Sequence, residues 1–142
     1  MAMSKKDILA MLGQVPLFDG FSKRELEAVF SSAKITEFSP GKPVVEEGAT
    51  GVGFHLILEG EAAVTVGGRK RAVLRSGDYF GEMSLIDGGP RSATVRADTP
   101  VRTLGLTSWA FLPLIDDHPS MARKMLVEIS RRLRGVEKSL QH

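Results

Sequence analysis

Hydrophobic and polar residues alternate in short runs through the middle of the chain, and they follow a helical period at both ends. From Ala33 to Leu106 the alternating runs are separated by glycine- and proline-containing turns. Such a series of short runs is typical of the strands of a β sandwich or barrel. The strands predicted from this pattern are residues 34–38, 44–46, 53–58, 62–66, 72–74, 92–97 and 101–105.

Helix signals precede the strands. Ser4 with Asp7, and Ser22 with Glu25, have the spacing of a capping box, in which each residue's side chain bonds the other's backbone N–H. We therefore expect an N-terminal helical element over residues 1–32.

Helix signals return after the strands. Thr107 or Ser108 can cap one helix, and Ser120 is the expected cap of the last one. Trp109, the one tryptophan, is expected in the core rather than stacked on a ligand. These signals predict C-terminal helices over residues 107–142.

The last helix carries an apolar seam, which we define as Ala122, Leu126, Ile129, Leu133, Val136 and Leu140. The intervals alternate between four and three residues, which is a repeat of 3.5. The seam is either the interface of a homodimer or the face of an amphipathic helix folded back on its own barrel. The sequence leaves both interpretations open.

Composition limits the other possibilities. The chain has 142 residues, of which 42% are hydrophobic and 25% charged, as expected for one domain with its own core. It has no cysteine, which excludes disulfides and thiolate metal sites. The net charge of +2 is too small to indicate direct nucleic acid binding. The sequence shows no secretory signal or membrane span, and we expect a cytoplasmic protein without a membrane partner.

Residues 79–95 contain the most distinctive chemistry. Gly81 permits a close approach of the backbone to a ligand, and a short helical turn can follow over residues 83–86. Arg91 then shares one face of a strand with Ala93 and Val95, so its guanidinium is aimed into the fold and requires an anionic partner. Either this stretch binds an anion, or Arg91 and Glu82 form an ion pair across the loop.

The two halves of this stretch resemble the phosphate-binding cassette of cyclic nucleotide-binding domains. The halves read Phe80-Gly81-Glu82-Met83-Ser84-Leu85 and Pro90-Arg91-Ser92-Ala93-Thr94-Val95. Bacterial catabolite activator proteins, regulatory subunits of cAMP-dependent protein kinase and cyclic-nucleotide-gated channels carry such domains. The resemblance implies a mainly β fold, an antiparallel double-stranded β-helix (jelly-roll type barrel) with helices at both ends. A single domain over 1–142 would contain the barrel at 33–106 and the cassette at 79–95.

The resemblance also implies roles for individual residues. Glu82 would bind the ribose 2′-hydroxyl and Arg91 the cyclic phosphate. The rest of the expected pocket is Gly81, Met83, Ser84, Ser92 and Ala93. The expected ligand is cAMP, with cGMP as the other candidate, because a hydroxyl such as that of Ser92 occurs in binders of both.

The implied function is a sensor that regulates a partner or a fused output domain when ligand moves the C-terminal helix. One alternative is a dimerisation module that binds no ligand, and another is the sensory fragment of a DNA-binding transcription regulator. The three histidines, His55, His118 and His142, are scattered and form no metal-binding pattern. We therefore expect no catalytic cofactor, no metal and no enzymatic activity.

Overall fold

A computed structural model describes residues 3–48, 53–89 and 92–140, without the side chain of Leu140. The predictions for Arg91, for His142 and for the side chain of Leu140 lie outside these described residues. The helices are α1 (Lys5–Gly13), α2 (Lys23–Ser32), α3 (Ser84–Asp87), α4 (Ser108–Asp117) and α5 (Pro119–Leu140), with a 3₁₀ turn at Pro16–Phe18.

The strands form two antiparallel sheets. They are β1 (Lys34–Phe38), β2 (Pro43–Val45), β3 (Phe54–Glu59), β4 (Ala62–Val66), β5 (Arg69–Leu74), β6 (Tyr79–Phe80), β7 (Thr94–Ala97) and β8 (Val101–Leu106). The first sheet has the order β1-β8-β3-β6 and the second the order β2-β7-β4-β5. The predicted mainly β fold with helices at both ends is confirmed, and closure of the sheets into a barrel stays a prediction.

Both predicted helix starts are present, and each has a capping box. The Asp7 N–H donates to the Ser4 hydroxyl at 3.2 Å, and the Glu25 N–H donates to the Ser22 hydroxyl at 3.1 Å. In each case the acidic side chain accepts the backbone N–H of the capping serine. Because a capping box depends only on residues three positions apart, the sequence identified these helix starts directly.

Two layers of core surround the first sheet. On β3, Phe54, Leu56 and Leu58 are buried against the helices, while Ile57 is buried between the two sheets. Both faces of this strand are therefore largely buried, as its sequence predicted. Strand β6 was not predicted, because a run of two residues is too short to show alternation.

Two predictions about the C-terminal helices are wrong. Helix α5 begins at Pro119. Proline suits the first turn of a helix, because the backbone N–H that it lacks would have no partner within the helix there. The Ser120 side chain therefore does not cap the helix, and its hydroxyl donates to the carboxylate of Glu25 instead. Trp109 is 65% exposed, because it lies on the face of α4 opposite the buried Phe111.

Helix α5 is buried in the core near its start, while apolar residues further along it are exposed. Met121 and Met125 are buried in the core, whereas the seam residues Leu126, Leu133 and Val136 are more than half exposed, at 63%, 59% and 56%. The helix folds back on the body of the chain through Met121 and Met125, and the seam residue Ile129 packs against the same core. Most of the described seam is left without apolar cover.

Candidate functional site

A cavity of about 550 Å³ lies between the described residues of the cassette (80–89, 92 and 93) and the second sheet. One wall is apolar and comes from four strand residues, Val45, Val64, Leu74 and Val95. The opposite wall contains the predicted site residues that the structure describes, namely Gly81, Glu82, Met83, Ser84, Ser92 and Ala93. The structure therefore brings both halves of the predicted cassette to one cavity.

The first half of the cassette is a tight turn leading into α3. Gly81 has a φ of 77°, which an L-residue with a side chain rarely adopts. Its carbonyl accepts the Ser84 N–H at 3.1 Å, and the turn is anchored in the core by the buried Leu85. The short predicted helix is thus present, one residue later than expected, and the turn before it presents Glu82 to the cavity.

The Glu82 carboxylate has one paired oxygen and one unpaired oxygen. Its Oε1 lies 3.1 Å from NH1 of Arg132, and its side chain is 18% exposed. Its Oε2 is buried and has no hydrogen-bond partner among the described residues. A buried carboxylate oxygen is costly to leave without a donor. This oxygen, on a residue that lines the cavity, is therefore suited to accept a ligand hydroxyl.

Arg132 reaches the site from α5. Its Nε donates to Oε2 of Glu128 at 2.8 Å, and its NH1 lies 3.6 Å from the Met83 sulfur. The hydrogen bond to Glu128, together with the contact with Glu82, raises the pKa of Arg132 further above its usual value. The guanidinium is therefore permanently charged and joins the final helix to the cassette.

Sequence reasoning missed Arg132 as a site residue. The position of Glu128 four residues before it was a usable signal, since that spacing forms ion pairs on a helix surface. The contact with Glu82 had no local signal, because the two residues are distant in sequence. The ion pair that the structure gives Glu82 is with Arg132, and the proposed Glu82–Arg91 pair lies outside the described residues.

Aromatic residues support the back of the cassette. Phe80 lines the cavity and stacks on His55, with ring centroids 5.2 Å apart and an interplanar angle of 17°. Nδ1 of His55 lies 3.1 Å from the Thr103 hydroxyl. Burial raises the pKa of the Tyr79 phenol, and the Glu82 carboxylate adds to this effect. His55 is thus packed into the wall, and no three metal-ligating side chains cluster anywhere in the described part of the chain.

Comparison with known proteins agrees with this geometry. Residues 35–118 match the model of the cyclic nucleotide-binding domain. A cGMP-dependent protein kinase of Toxoplasma gondii is 37% identical over 87 residues, which are 61% of this chain and 9% of the kinase. The mouse potassium/sodium hyperpolarization-activated cyclic nucleotide-gated channel 2 is 33% identical over 113 residues, which are 80% of this chain and 13% of the channel.

Solved structures with the same fold come from bacterial regulators. The N-terminal domain of a transcriptional regulator from Streptomyces coelicolor A3(2) superposes with a TM-score of 0.85 at 27% identity, over 92% of this chain and 94% of that one. The Thermus thermophilus catabolite activator protein gives a TM-score of 0.69 at 33% identity, over 89% of this chain and 62% of that one.

The chain belongs to the cyclic nucleotide-binding domain family, since the family model matches more than half of its length. Members of the family occur in regulators, kinases and channels. The chain spans only 9% to 13% of the length of the curated relatives named above. In the part of the chain that the structure describes, no helix has the length and hydropathy needed to span a bilayer. The cytoplasmic location stays a prediction.

Proposed function

We propose that this chain is a cAMP-sensing domain that regulates a partner or a fused output domain. The observation that carries the proposal is the buried Oε2 of Glu82, which lacks a hydrogen-bond partner among the described residues and belongs to a cavity-lining residue. A ribose 2′-hydroxyl supplies the donor that this oxygen lacks. Glu82 would therefore fix the sugar of the nucleotide.

The remaining roles follow from the resemblance of the motif and, for the described residues, from their positions in the cavity. Arg91 would bind the cyclic phosphate, as the resemblance of its motif implies. Gly81, Met83, Ser84, Ser92 and Ala93 would complete the pocket around the sugar and phosphate.

The base would lie against the apolar wall described above. Guanine carries a carbonyl and an amino group on the edge where adenine carries one amino group. Polar groups that are buried without partners reduce affinity, so an apolar wall favours cAMP over cGMP. This argument supports cAMP as the first candidate, and cGMP is the competitor that a titration must include.

Regulation would act through α5. The contact between Glu82 and Arg132 connects the residue proposed to bind ribose directly to this helix. A ligand that alters the pairing of Glu82 changes the relative stability of two positions of α5, which shifts their populations. Movement of the C-terminal helix would then carry the signal to the output.

The output itself is proposed from relatives. The Streptomyces coelicolor neighbour is the N-terminal domain of a transcriptional regulator, and it superposes on nearly all of this chain. By analogy, this chain would be the sensory portion of a DNA-binding transcription regulator, with DNA contacted by another part of that protein. A free-standing sensor that acts on a separate partner fits the same pocket.

A homodimer through the seam is also part of the proposal. Leu126, Leu133 and Val136 form an exposed apolar row on α5 that the core of the chain does not cover. Pairing of this row with a second copy would remove it from water. The competing function, a dimerisation module that binds no nucleotide, rests on the same row.

Isothermal titration calorimetry with cAMP and cGMP tests the proposal. We expect binding of at least one cyclic nucleotide, with cAMP the tighter ligand. Linear 5′-AMP is the matched control, because it has the same base and sugar but no cyclic phosphate. If neither cyclic nucleotide gives heat at high micromolar concentration while the protein is folded and dimeric, the dimerisation module replaces the sensor.

A further inference from the structure

Three ionised side chains form a row between the cassette and α5: Glu82, Arg132 and Glu128. NH1 of Arg132 lies 3.1 Å from Oε1 of Glu82, and its Nε donates to Oε2 of Glu128 at 2.8 Å. The side chains are 18%, 33% and 12% exposed, in the order in which the row is named. One partly buried guanidinium therefore divides its donors between two carboxylates.

This division determines which oxygens of Glu82 are occupied. A guanidinium that faces a single carboxylate commonly pairs through two parallel N–H···O bonds, one to each oxygen. Here Glu128 occupies the Nε of Arg132, and the contact with Glu82 involves Oε1 alone. The second oxygen of Glu82 remains without a partner among the described residues.

The position of Glu128 is fixed by the helix. Glu128 precedes Arg132 by four residues, which is the favourable order for an ion pair on a helix surface. The other cation near Glu128 is Arg131, whose NH1 is 3.9 Å from Oε1 of Glu128 and 3.0 Å from Oδ2 of Asp19. Arg131 is therefore held mainly by Asp19, and Glu128 is available to orient Arg132.

We propose that Glu128 is a positioning residue for the nucleotide, although it does not touch the ligand. By holding Nε of Arg132, it fixes the orientation of the guanidinium so that NH1 reaches Oε1 of Glu82 alone, and it keeps Oε2 available for the ribose hydroxyl. Without Glu128, Arg132 turns to pair with both oxygens, and the ligand must displace one of these bonds. The inference rests on the proposed function and adds a residue that controls the affinity of the same site.

The test compares Glu128→Ala with the unaltered protein by calorimetry, using the tighter of the two cyclic nucleotides and its 2′-deoxy analogue. We expect affinity for the ribonucleotide to fall about tenfold, which corresponds to about 1.4 kcal/mol. Affinity for the 2′-deoxy analogue should not change, because this ligand has no hydroxyl to place on Oε2. Glu137→Ala is the matched control, since Glu137 is exposed on the same helix and makes no ion pair with any described residue.

A second comparison uses the Arg132→Ala background, in which no guanidinium is available to clamp Glu82. Adding Glu128→Ala to this variant should leave affinity unchanged, whereas a merely structural role of Glu128 would lower it again. Equal losses for both ligands, or a loss that persists without Arg132, would overturn the inference. If the unaltered protein binds nucleotide and Glu128→Ala binds it equally well, this inference fails and the proposed function stands. If the unaltered protein binds neither, the proposed function itself fails.

Discussion

Lys124 on α5 contacts Glu25 on α2 through a hydrogen bond of 2.5 Å from Nζ to Oε1. The Glu25 side chain is only 5% exposed. The same carboxylate accepts the Ser22 N–H, as part of the capping box, and the Ser120 hydroxyl. One buried side chain therefore completes the start of α2 and also fastens the first turns of α5 to the N-terminal element.

Replacing Glu25 should destabilise the fold. Glu25→Ala removes the reciprocal half of the capping box and leaves Lys124 and Ser120 without their partner. We expect a loss of roughly 2–4 kcal/mol in the free energy of unfolding, measured by urea denaturation. Glu27→Ala is the control on the same helix, because the Glu27 side chain makes no hydrogen bond or ion pair with the described residues. Equal effects of the two variants would contradict the role of Glu25.

Acid should weaken the contacts that Glu25 makes with Ser22, Ser120 and Lys124. Burial alone would raise the pKa of Glu25, but hydrogen bonds from Lys124, Ser120 and the Ser22 backbone outweigh it and lower the pKa from 4.5 to about 2. The unfolded chain therefore binds a proton before the folded chain does, and stability falls as pH decreases from about 4.5 to about 2.

The size of this acid effect follows from the lowering of the Glu25 pKa. That lowering corresponds to about 3 kcal/mol in the free energy of unfolding, which is fully present above the pKa of the unfolded chain. Urea denaturation at a series of pH values measures it. The Glu25→Gln variant should show a shallower loss through this window than the unaltered protein. Parallel curves for the two proteins would show that Glu25 does not carry the acid sensitivity.

Two glycines should respond oppositely to the same substitution. Gly60 has a φ of 91°, and a Cβ there would lie 2.1 Å from the Pro100 carbonyl oxygen, so Gly60→Ala should cost at least about 2 kcal/mol. Gly135 lies within α5, and a Cβ there would meet nothing within 4 Å. Gly135→Ala should therefore stabilise the protein by about 1 kcal/mol. Thermal denaturation of both variants checks the opposite signs, and a destabilised Gly135→Ala protein would contradict the helix argument.

The parts of the fold that could be predicted from sequence are those with local causes. The boxes at Ser4 and Ser22 and the alternation in β3 each involve residues a few positions apart. Trp109 was misplaced because the hydrophobic character of a side chain does not determine which face of its helix other elements will cover. Ser120 was misplaced because its bond to Glu25 joins residues that are far apart in sequence.

The candidate site divides in the same way. The cassette residues were recognisable because Gly81, Glu82 and Ser84 belong to one short motif. Arg132 was not recognisable, since only the packing of α5 through Met121 and Met125 brings its guanidinium to Glu82. A contact created by tertiary packing leaves no periodic signal in the sequence of either partner.

Arg91 should be required for nucleotide binding. In the proposed function its guanidinium pairs with the cyclic phosphate. Arg91→Ala should therefore reduce the free energy of nucleotide binding by roughly 2–5 kcal/mol, or affinity by about one and a half to three and a half decades. Arg96→Ala is the matched control, because Arg96 is exposed on β7 and its NH1 donates to the Gly41 carbonyl at 2.8 Å. A loss below about threefold for Arg91→Ala, measured by calorimetry, would mean that Arg91 does not bind the phosphate.

The seam should hold two copies of the chain together. Leu133 is 59% exposed in the single chain, and a second α5 would bury it in an apolar interface. Leu133→Arg would place a charge there without a partner, which is costly when the site is desolvated. We expect the unaltered protein to sediment as a dimer and Leu133→Arg to dissociate at least about tenfold more readily.

Leu112→Arg provides the control for the seam. Leu112 is an exposed leucine on α4, at 41%, and lies outside the seam, so this variant gains the same charge without touching the proposed interface. Sedimentation velocity should give a dimer for Leu112→Arg and a larger monomer fraction for Leu133→Arg. A monomer mass for the unaltered protein would refute the seam. If Leu133→Arg leaves the dimer intact, the two copies must contact each other through another surface. An unpaired guanidinium buried in an apolar interface would weaken that interface, because burial of an unpaired charge is costly.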